Sequence, residues 1–199
     1  IGRGGDRLGI YFLEMGASQR PSKVVYDRAS SSNSQVKAGE FDWHAILDGA
    51  EWFHFTGITP ALGEGPTAAL TEALEVCMSK GIKVSVDLNY RKNLWTPEQA
   101  NVVMTKLMKY VNVVIANEED AEKIFGIKAA ATDITSGHLD EAGYQDVARQ
   151  LVDRFGFEKV AITLRESFSA FDNNWSALLY DKDGFYRSKI YKVHIVDRV

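Results

Sequence analysis

Three side chains with complementary chemistry stand at alternate positions of one short run, namely Asp87, Asn89 and Arg91. The run falls at the carboxyl end of a strand predicted over Ile82–Leu88, the place where open α/β sheets bind ligands. Alternate residues of a strand point to the same side, and a guanidinium can hold a carboxylate or a phosphate through two parallel hydrogen bonds. The spacing therefore predicts either an anion site or a salt bridge between Asp87 and Arg91 that closes the loop.

A second group of polar side chains lies on a predicted β-hairpin near the start of the chain. Tyr26 and Arg28 are two residues apart and share one strand face, and Tyr11 lies on the neighbouring strand. If the hairpin covers a ligand as a lid, these side chains can reach a polyhydroxylated, anionic molecule. Otherwise they form a cross-strand ladder on the surface.

A run of acids begins a predicted helix directly after a strand, at Asn117, Glu118, Glu119 and Asp120. Carboxylates favour the positive end of a helix dipole, which gives the run a purely structural cause. The functional alternative is that the acids hold Mg²⁺ through water beside nucleotide phosphates, because Mg²⁺ keeps several waters and takes few direct protein ligands.

Several common site signatures are absent from the sequence. There is no G-x-x-x-x-G-K-[ST] phosphate loop and no dinucleotide fingerprint, so NAD binding has no support. The 4 histidines show no metal-ligand spacing, and Cys77 lies on the apolar face of a predicted helix. We therefore expect neither a zinc site nor a cysteine nucleophile.

The composition limits the class of partner. The chain has 199 residues, 23 Lys plus Arg, 27 Asp plus Glu and a net charge of −4, with no basic block to neutralise nucleic-acid phosphates. No apolar run approaches the ~20 residues of a membrane-spanning helix. A single cysteine excludes a disulfide framework and is typical of a reducing compartment. We expect a cytoplasmic protein that binds small molecules or protein, and neither nucleic acid nor membrane.

The elements that must position these residues alternate, from residue 41 onward, between helical periodicity and short apolar runs. This alternation is typical of an α/β fold with a largely parallel sheet. The predicted helices are Phe41–Leu47, Pro66–Lys80, Thr96–Tyr110, Glu118–Phe125 and Asp140–Phe155, and the predicted strands are Glu51–Thr56, Ile82–Leu88, Val111–Ala116 and Glu158–Leu164. A loop is predicted over Gly57–Gly65, and an Asp-Gly turn predicts a final hairpin of Trp175–Tyr180 and Phe185–Val196.

Residues 1–40 lie outside this alternation. Two β-like runs, Leu8–Leu13 and Lys23–Tyr26, form a hairpin that cannot hold a core of its own. It must lie on the main sheet, on another chain, or over a ligand. Because the chain begins with Ile1 rather than Met and stops directly after an apolar run, we expect a fragment of a longer protein.

Several segments together resemble the 2-keto-3-deoxygluconate kinases, a branch of the ribokinase (PfkB) family of sugar kinases. The match runs in order from end to end of the chain. It is carried by Arg7–Glu14, Arg20–Arg28, His54–Leu62, Asp87–Trp95, Ala116–Glu122, Ile162–Ser167 and Ile195–Val199. The part most particular to the keto-deoxy sugar acid branch is the set Tyr11, Tyr26, Arg28, Asp87, Asn89 and Arg91.

The resemblance implies a ribokinase-like α/β/α sandwich with a largely parallel central sheet and a small β lid. On this basis residues 1–40 are the lid and its connection, and residues 41–199 are an incomplete core that binds nucleotide and sugar. The residues implied to contact the sugar acid are Tyr11, Tyr26, Arg28, Ile58 and Arg91, and those implied to lie near ATP are Asn117, Thr163, Leu164 and Arg165. Mg²⁺ is implied as a cofactor, with Asp120 as a candidate ligand through water, although much of the family has Glu at this position.

The activity implied is ATP-dependent phosphorylation of 2-keto-3-deoxy-D-gluconate to its 6-phosphate in sugar acid catabolism. Family members continue beyond the segment that matches Asp197–Val199 into a glycine-rich turn and an aspartate base. No catalytic residue is therefore expected in this chain, and the 199-residue piece alone is expected to be inactive and poorly stable. The alternatives are a kinase for fructose or ribose and a sugar-acid or nucleotide binding protein without turnover. Because edge strands seek partners, a homo-oligomer through the lid is also expected.

Overall fold

The computed structural model describes residues 2–129 and 141–196. Its strands are β1 (Ile10–Glu14), β2 (Lys23–Asp27), β3 (Trp52–Thr56), β4 (Lys83–Asp87), β5 (Val113–Ala116), β6 (Lys159–Ser167), β7 (Asp172–Asp181), β8 (Gly184–Arg187) and β9 (Tyr191–His194). Its helices are α1 (Trp43–Ile46), α2 (Ile58–Ala61), α3 (Glu64–Lys80), α4 (Pro97–Leu107) with a 3₁₀ turn at Met108–Tyr110, α5 (Glu118–Phe125) and α6 (Glu141–Phe155). Across these two ranges, no helix is long and apolar enough to cross a membrane. The predicted helix start at Asp140 and the segment Asp197–Val199 lie outside the described residues.

Seven strands form one mixed sheet in the order β3-β4-β5-β6-β7-β8, and β9 pairs with another part of β7. Strands β3 to β6 are parallel, whereas β6 to β9 pair in the antiparallel sense. Parallel neighbours need crossover connections, and α3, α4 and α6 lie in those connections. The predicted α/β class with a largely parallel central sheet is confirmed.

The core lies on one face of this sheet. The inward strand residues Val84, Val86, Val114 and Ile162 are at most 1% exposed, and they share one apolar cluster with Leu74, Met104, Ile124 and Leu151 of α3 to α6. The opposite face carries Trp52, which is 54% exposed, and the partly exposed Val113. The described residues therefore contain the sheet and one of the two helical layers that a parallel sheet normally has.

Local signals set three helix ends that agree with the predicted bounds within one residue. Thr96 and Gln99 form a reciprocal capping box, in which each side chain accepts the other's main-chain N–H, at 3.3 Å and 2.9 Å. The Asn117 side chain accepts the Asp120 N–H at 2.7 Å and starts α5. Gly81 ends α3 with φ 69°, a left-handed conformation that glycine adopts without strain.

The predicted loop after β3 is partly wrong, because Ile58–Ala61 forms the short helix α2. The following helix begins at Glu64 rather than at Pro66. Proline has no N–H to donate, and the N–H groups of a first helical turn have no partner within the helix, so Pro66 fits inside that turn.

The predicted single strand over Phe185–Val196 is also wrong, because it divides into β8 and β9. Between them the Ser188 N–H donates to the Ala177 carbonyl at 2.9 Å, and the Ser188 hydroxyl accepts the Ala177 N–H at 2.9 Å. The serine side chain replaces a main-chain partner at this point, and the ladder is interrupted there.

The hairpin of β1 and β2 forms a small sheet of its own, in which Tyr11 pairs with Tyr26. Among the described strands, none joins it to the main sheet. Its turn touches the tip of the β6–β7 hairpin, where the Ala170 N–H donates to the Ser18 carbonyl at 2.9 Å. The division of the chain at residue 40 stays a prediction.

Candidate functional site

A cleft of about 1210 Å³ opens between the hairpin and the carboxyl-terminal edge of the parallel strands. The predicted site residues that line it are Tyr26, Arg28, Arg91, Asn117 and Asp120. The hairpin thus covers the edge of the sheet at which α/β folds bind ligands. This placement favours the lid interpretation of the hairpin over that of a surface ladder.

The hairpin wall of the cleft carries a stacked pair. The guanidinium carbon of Arg28 lies 4.2 Å from the centroid of the Tyr26 ring, a cation–π geometry. Tyr11 stands across the strand pair, with its ring centroid 6.2 Å from that of Tyr26. Tyr11 does not line the cleft itself. In this structure it supports the ring on which Arg28 rests.

The opposite wall is the turn that follows β4. Asn89 has φ 43°, in the left-handed region, and its Nδ2 donates to the Thr56 hydroxyl at 3.1 Å. The strand alternation assumed for Asp87, Asn89 and Arg91 is therefore wrong, because β4 ends at Asp87 and the chain turns sharply. Of these three residues only Arg91 lines the cleft.

The predicted salt bridge between Asp87 and Arg91 is also not found among the ion pairs of the described residues. Burial raises the pKa of Asp87, and the charges of His54 and Arg91 oppose that rise. Arg91 therefore acts on Asp87 through its charge without an ion pair, and its Nη1 donates to the Tyr90 carbonyl at 3.1 Å.

Asp120 is the buried acid of the cleft, with 5% of its surface exposed. Its Oδ1 accepts the main-chain N–H of Tyr90 at 2.9 Å. Burial raises the pKa of Asp120 from 3.8 to about 6, and the Asp87 carboxylate adds to the rise. Hydrogen bonds from the N–H groups of Tyr90 and Asn117 act in the opposite direction.

The residues implied to lie near the nucleotide follow the ends of β5 and β6. The Thr163 hydroxyl lies 3.4 Å from the Ala116 carbonyl, to which it donates, and this contact brings β6 beside the Asn117 cap of α5. Leu164 is 3% exposed and belongs to the core, so only its main chain can approach a ligand. Neither Thr163 nor Leu164 lines the cleft.

Two further predicted residues stand beside the cleft rather than in it. The Arg165 guanidinium donates twice to Oδ1 of Asn173, at 3.0 and 2.8 Å, and lies 5.2 Å from the centroid of the Trp175 ring. Ile58 begins α2, where its N–H donates to the Thr56 hydroxyl at 3.4 Å.

Cations outnumber acids in the cleft, with Lys23, Arg28, Arg91 and Lys92 facing Glu119 and Asp120. Such a lining favours an anionic ligand. Sequence reasoning missed Lys23, Lys92, Ser34 and Gln35 as lining residues. Lys92 directly follows Arg91 and could have been found from that position, whereas Ser34 and Gln35 lie in an irregular segment without periodicity. Within the described ranges, no three His, Cys, Asp or Glu side chains are grouped to hold a metal ion.

The chain belongs to the pfkB family of carbohydrate kinases, because the family model described as "pfkB family carbohydrate kinase" matches residues 3–199. Among solved structures, 2-dehydro-3-deoxygluconokinase from Thermotoga maritima is 52% identical, with a TM-score of 0.90 over 99% of this chain and 58% of that chain. A PfkB family carbohydrate kinase from Listeria grayi is 30% identical, with a TM-score of 0.83 over 96% of this chain and 56% of that chain.

A curated relative, 2-dehydro-3-deoxygalactonokinase from Haloferax volcanii, is 28% identical over 97% of this chain and 54% of that protein. The chain thus spans between 54% and 58% of the length of these relatives. The predicted family and ribokinase-like fold are confirmed, while the roles of individual residues stay predictions.

Proposed function

We propose that the protein containing this chain uses ATP to phosphorylate 2-keto-3-deoxygluconate at its terminal hydroxyl, giving the 6-phosphate. The observation that carries the proposal is the pair of guanidinium groups, Arg28 and Arg91, on opposite walls of one cleft. Among the described residues, neither takes part in a salt bridge within 4.0 Å. Two such cations, one on the lid and one facing it, fit a sugar that carries a carboxylate, as the names of two similar proteins also suggest.

The chain's own residues bind and orient the sugar acid. Arg28 and Arg91 hold its carboxylate, and the Tyr26 hydroxyl meets its hydroxyl groups from the lid side, while Tyr11 supports the Tyr26 ring from across the hairpin. Ile58 stands beside the cleft at the start of α2, so its contact with the sugar stays a prediction. Holding the substrate in one orientation lowers the entropic cost of the transfer step.

The nucleotide would lie where the cleft, at Asn117, adjoins the ends of β5 and β6. The contact between Thr163 and Ala116 brings the end of β6 next to the amino terminus of α5, where Asn117 caps the helix. Main-chain N–H groups at a helix amino terminus favour phosphate oxygens. Leu164, through its main chain, and Arg165 lie further along β6, outside the lining of the cleft.

Mg²⁺, when bound with the nucleotide, would neutralise phosphate charge. Because Mg²⁺ takes few direct protein ligands, few residues of this chain would need to contact it. Asp120 stays a candidate for contact through water.

Sugar binding by the full-length protein tests the proposal. In calorimetric titrations without ATP, 2-keto-3-deoxygluconate and gluconate should bind about tenfold or more tightly than fructose and ribose, because only the acids use a charge-assisted bond. For the removal of a cleft cation, as in Arg91→Ala, the matched control is Lys182→Ala, which removes a cation from the turn after β7, away from the cleft. Equal binding of acids and neutral sugars would favour a neutral-sugar kinase and contradict the proposal.

We also propose that the protein forms a homo-oligomer through the lid. Leu8, Ile10 and Phe12 are 79%, 47% and 59% exposed. Ile10 and Phe12 share the face of β1 opposite to Tyr11, because neighbouring strand residues point to opposite faces. Such a face on a small unpaired hairpin favours association with a second copy. The cytoplasmic location expected from the single cysteine stays a prediction.

A further inference from the structure

The Asp120 carboxylate links helix α5 to the turn after β4 that carries Arg91. Asp120 lies in the first turn of α5, where its own N–H donates to the Asn117 side chain at 2.7 Å. Its Oδ1 nevertheless accepts the N–H of Tyr90, 30 positions away in the sequence, at 2.9 Å. Because Asp120 is almost fully buried, removing the acceptor would leave the Tyr90 N–H without a partner, which costs free energy.

The Tyr90 main chain carries this contact on to Arg91. The N–H of Tyr90 is held by Asp120, and its carbonyl accepts a hydrogen bond from Nη1 of Arg91 at 3.1 Å. The Tyr90 hydroxyl donates to the Trp95 carbonyl at 3.2 Å, which fixes the ring as well. A continuous series of hydrogen bonds therefore runs from Asp120 through one residue to the Arg91 guanidinium.

The turn that carries Arg91 has a second anchor, on β3. Asn89, with φ 43°, donates to Thr56, and the Leu88 carbonyl lies so close to Gly57 that an added Cβ would stand 2.1 Å from it. This anchor fixes where the turn begins. The Asp120 contact fixes the Asn89–Tyr90 peptide, and Arg91 bonds to the carbonyl of the next peptide along the chain.

We propose that Asp120 is a positioning residue for the sugar acid, which sets the direction of the Arg91 guanidinium by holding the Tyr90 main chain. The inference rests on the proposed function, since it assigns Asp120 to the acid-binding side of the cleft. A metal-linked role requires the negative charge of the carboxylate. Positioning requires only an acceptor oxygen at Oδ1, so an amide in its place separates the two roles.

Steady-state kinetics of the full-length protein test the proposal. Asp120→Ala should raise the KM for 2-keto-3-deoxygluconate by about tenfold or more, with the KM for ATP within about threefold of wild type. Asp120→Asn keeps an acceptor and should keep both KM values within about threefold. Glu98→Gln is the charge control, because Glu98 acts electrostatically on Tyr90 but does not line the cleft.

Two kinetic results would overturn the proposal. The first is an Asp120→Asn variant as impaired as Asp120→Ala, with an altered Mg²⁺ dependence, which would show that the charge matters. The second is a rise in the KM for ATP equal to that for the sugar acid. If Asp120→Ala does not fold, Asp120→Leu fills the buried site without an acceptor and takes its place.

Hydrogen exchange at the Tyr90 amide tests the contact without any substrate. Exchange should be slow in the wild type, in Asp120→Asn and in Glu98→Gln, and at least about tenfold faster in Asp120→Ala. The amide of the buried Val86 serves as the internal reference for global unfolding. If the protein turns over no sugar acid, the proposed function fails, and the exchange result then tests only the hydrogen bond between Asp120 and Tyr90. Unchanged protection of the Tyr90 amide in Asp120→Ala would overturn the inference that Asp120 holds the Tyr90 main chain.

Discussion

The guanidinium of Arg28 rests on the ring of Tyr26, with 4.2 Å between the guanidinium carbon and the ring centroid. Both side chains line the cleft, and Tyr26 is paired across the hairpin with Tyr11. The aromatic pair thus holds a cation of the hairpin at the wall of the cleft. Preorganisation of this kind reduces the ordering cost of binding.

Substitutions of Tyr26 should separate stacking from hydrogen bonding. Tyr26→Ala removes the ring under Arg28 and should weaken 2-keto-3-deoxygluconate binding by at least about 0.5 to 1 kcal/mol, measured by calorimetry. Tyr26→Phe keeps the ring and should lose less. If the two variants lose the same affinity, the hydroxyl and not the stacking carries the effect.

Removal of Arg91 should affect the sugar acid selectively. Arg91→Ala should weaken 2-keto-3-deoxygluconate binding by about 1.5 to 3 kcal/mol, the value of a hydrogen bond to a charged group, with little change in ATP affinity. Lys182→Ala provides the control for loss of one positive charge. Equal loss of both ligands, or of neither, would reject the assignment of Arg91 to the carboxylate.

The raised pKa of Asp120 predicts a pH-dependent stability. A carboxyl whose pKa is about 6 in the folded state and 3.8 otherwise stabilises the fold fully below pH 3.8, and this contribution is lost as the pH rises through about 6. The stability of the wild type relative to Asp120→Asn should therefore fall by up to about 3 kcal/mol between pH 4 and pH 7. Urea unfolding of both proteins at the two pH values measures the difference. A relative stability that is flat or rises with pH would contradict the burial argument.

The proposed lid contact between copies predicts a change of mass. Phe12→Asp places a charge on the exposed apolar face of β1 and should shift the protein towards monomer in sedimentation experiments. Met78→Asp is a matched control, because Met78 on α3 is 57% exposed and Phe12 is 59% exposed. Dissociation in both variants, or in neither, would count against the lid as the contact surface.

Local signals made much of the fold predictable. Thr96 with Gln99, and Asn117 at the start of α5, act within one helical turn, so their effects follow from sequence spacing. The turn after β4 was not predictable in the same way. Asn89 leaves the strand conformation because it reaches Thr56, and Tyr90 is fixed by Asp120, both of which are distant in the sequence.

The candidate site, like the fold, could be predicted from the sequence only in part. Arg28 and Arg91 could be chosen by residue type and by the resemblance, and the structure brings both into one cleft. The inward direction of Leu164 and the pairing of Arg165 with Asn173 depend on β7 lying antiparallel to β6. Such contacts across strands are set by tertiary packing, which residue spacing alone does not define.

The most direct test of the account is a coupled assay of ATP consumption with the full-length protein, offered 2-keto-3-deoxygluconate, fructose, ribose and gluconate side by side. The two arginines of the cleft predict turnover confined to the keto-deoxy acid, with gluconate acting as a competitor. Preferred turnover of fructose or ribose, or no turnover of any of the four, would contradict the account.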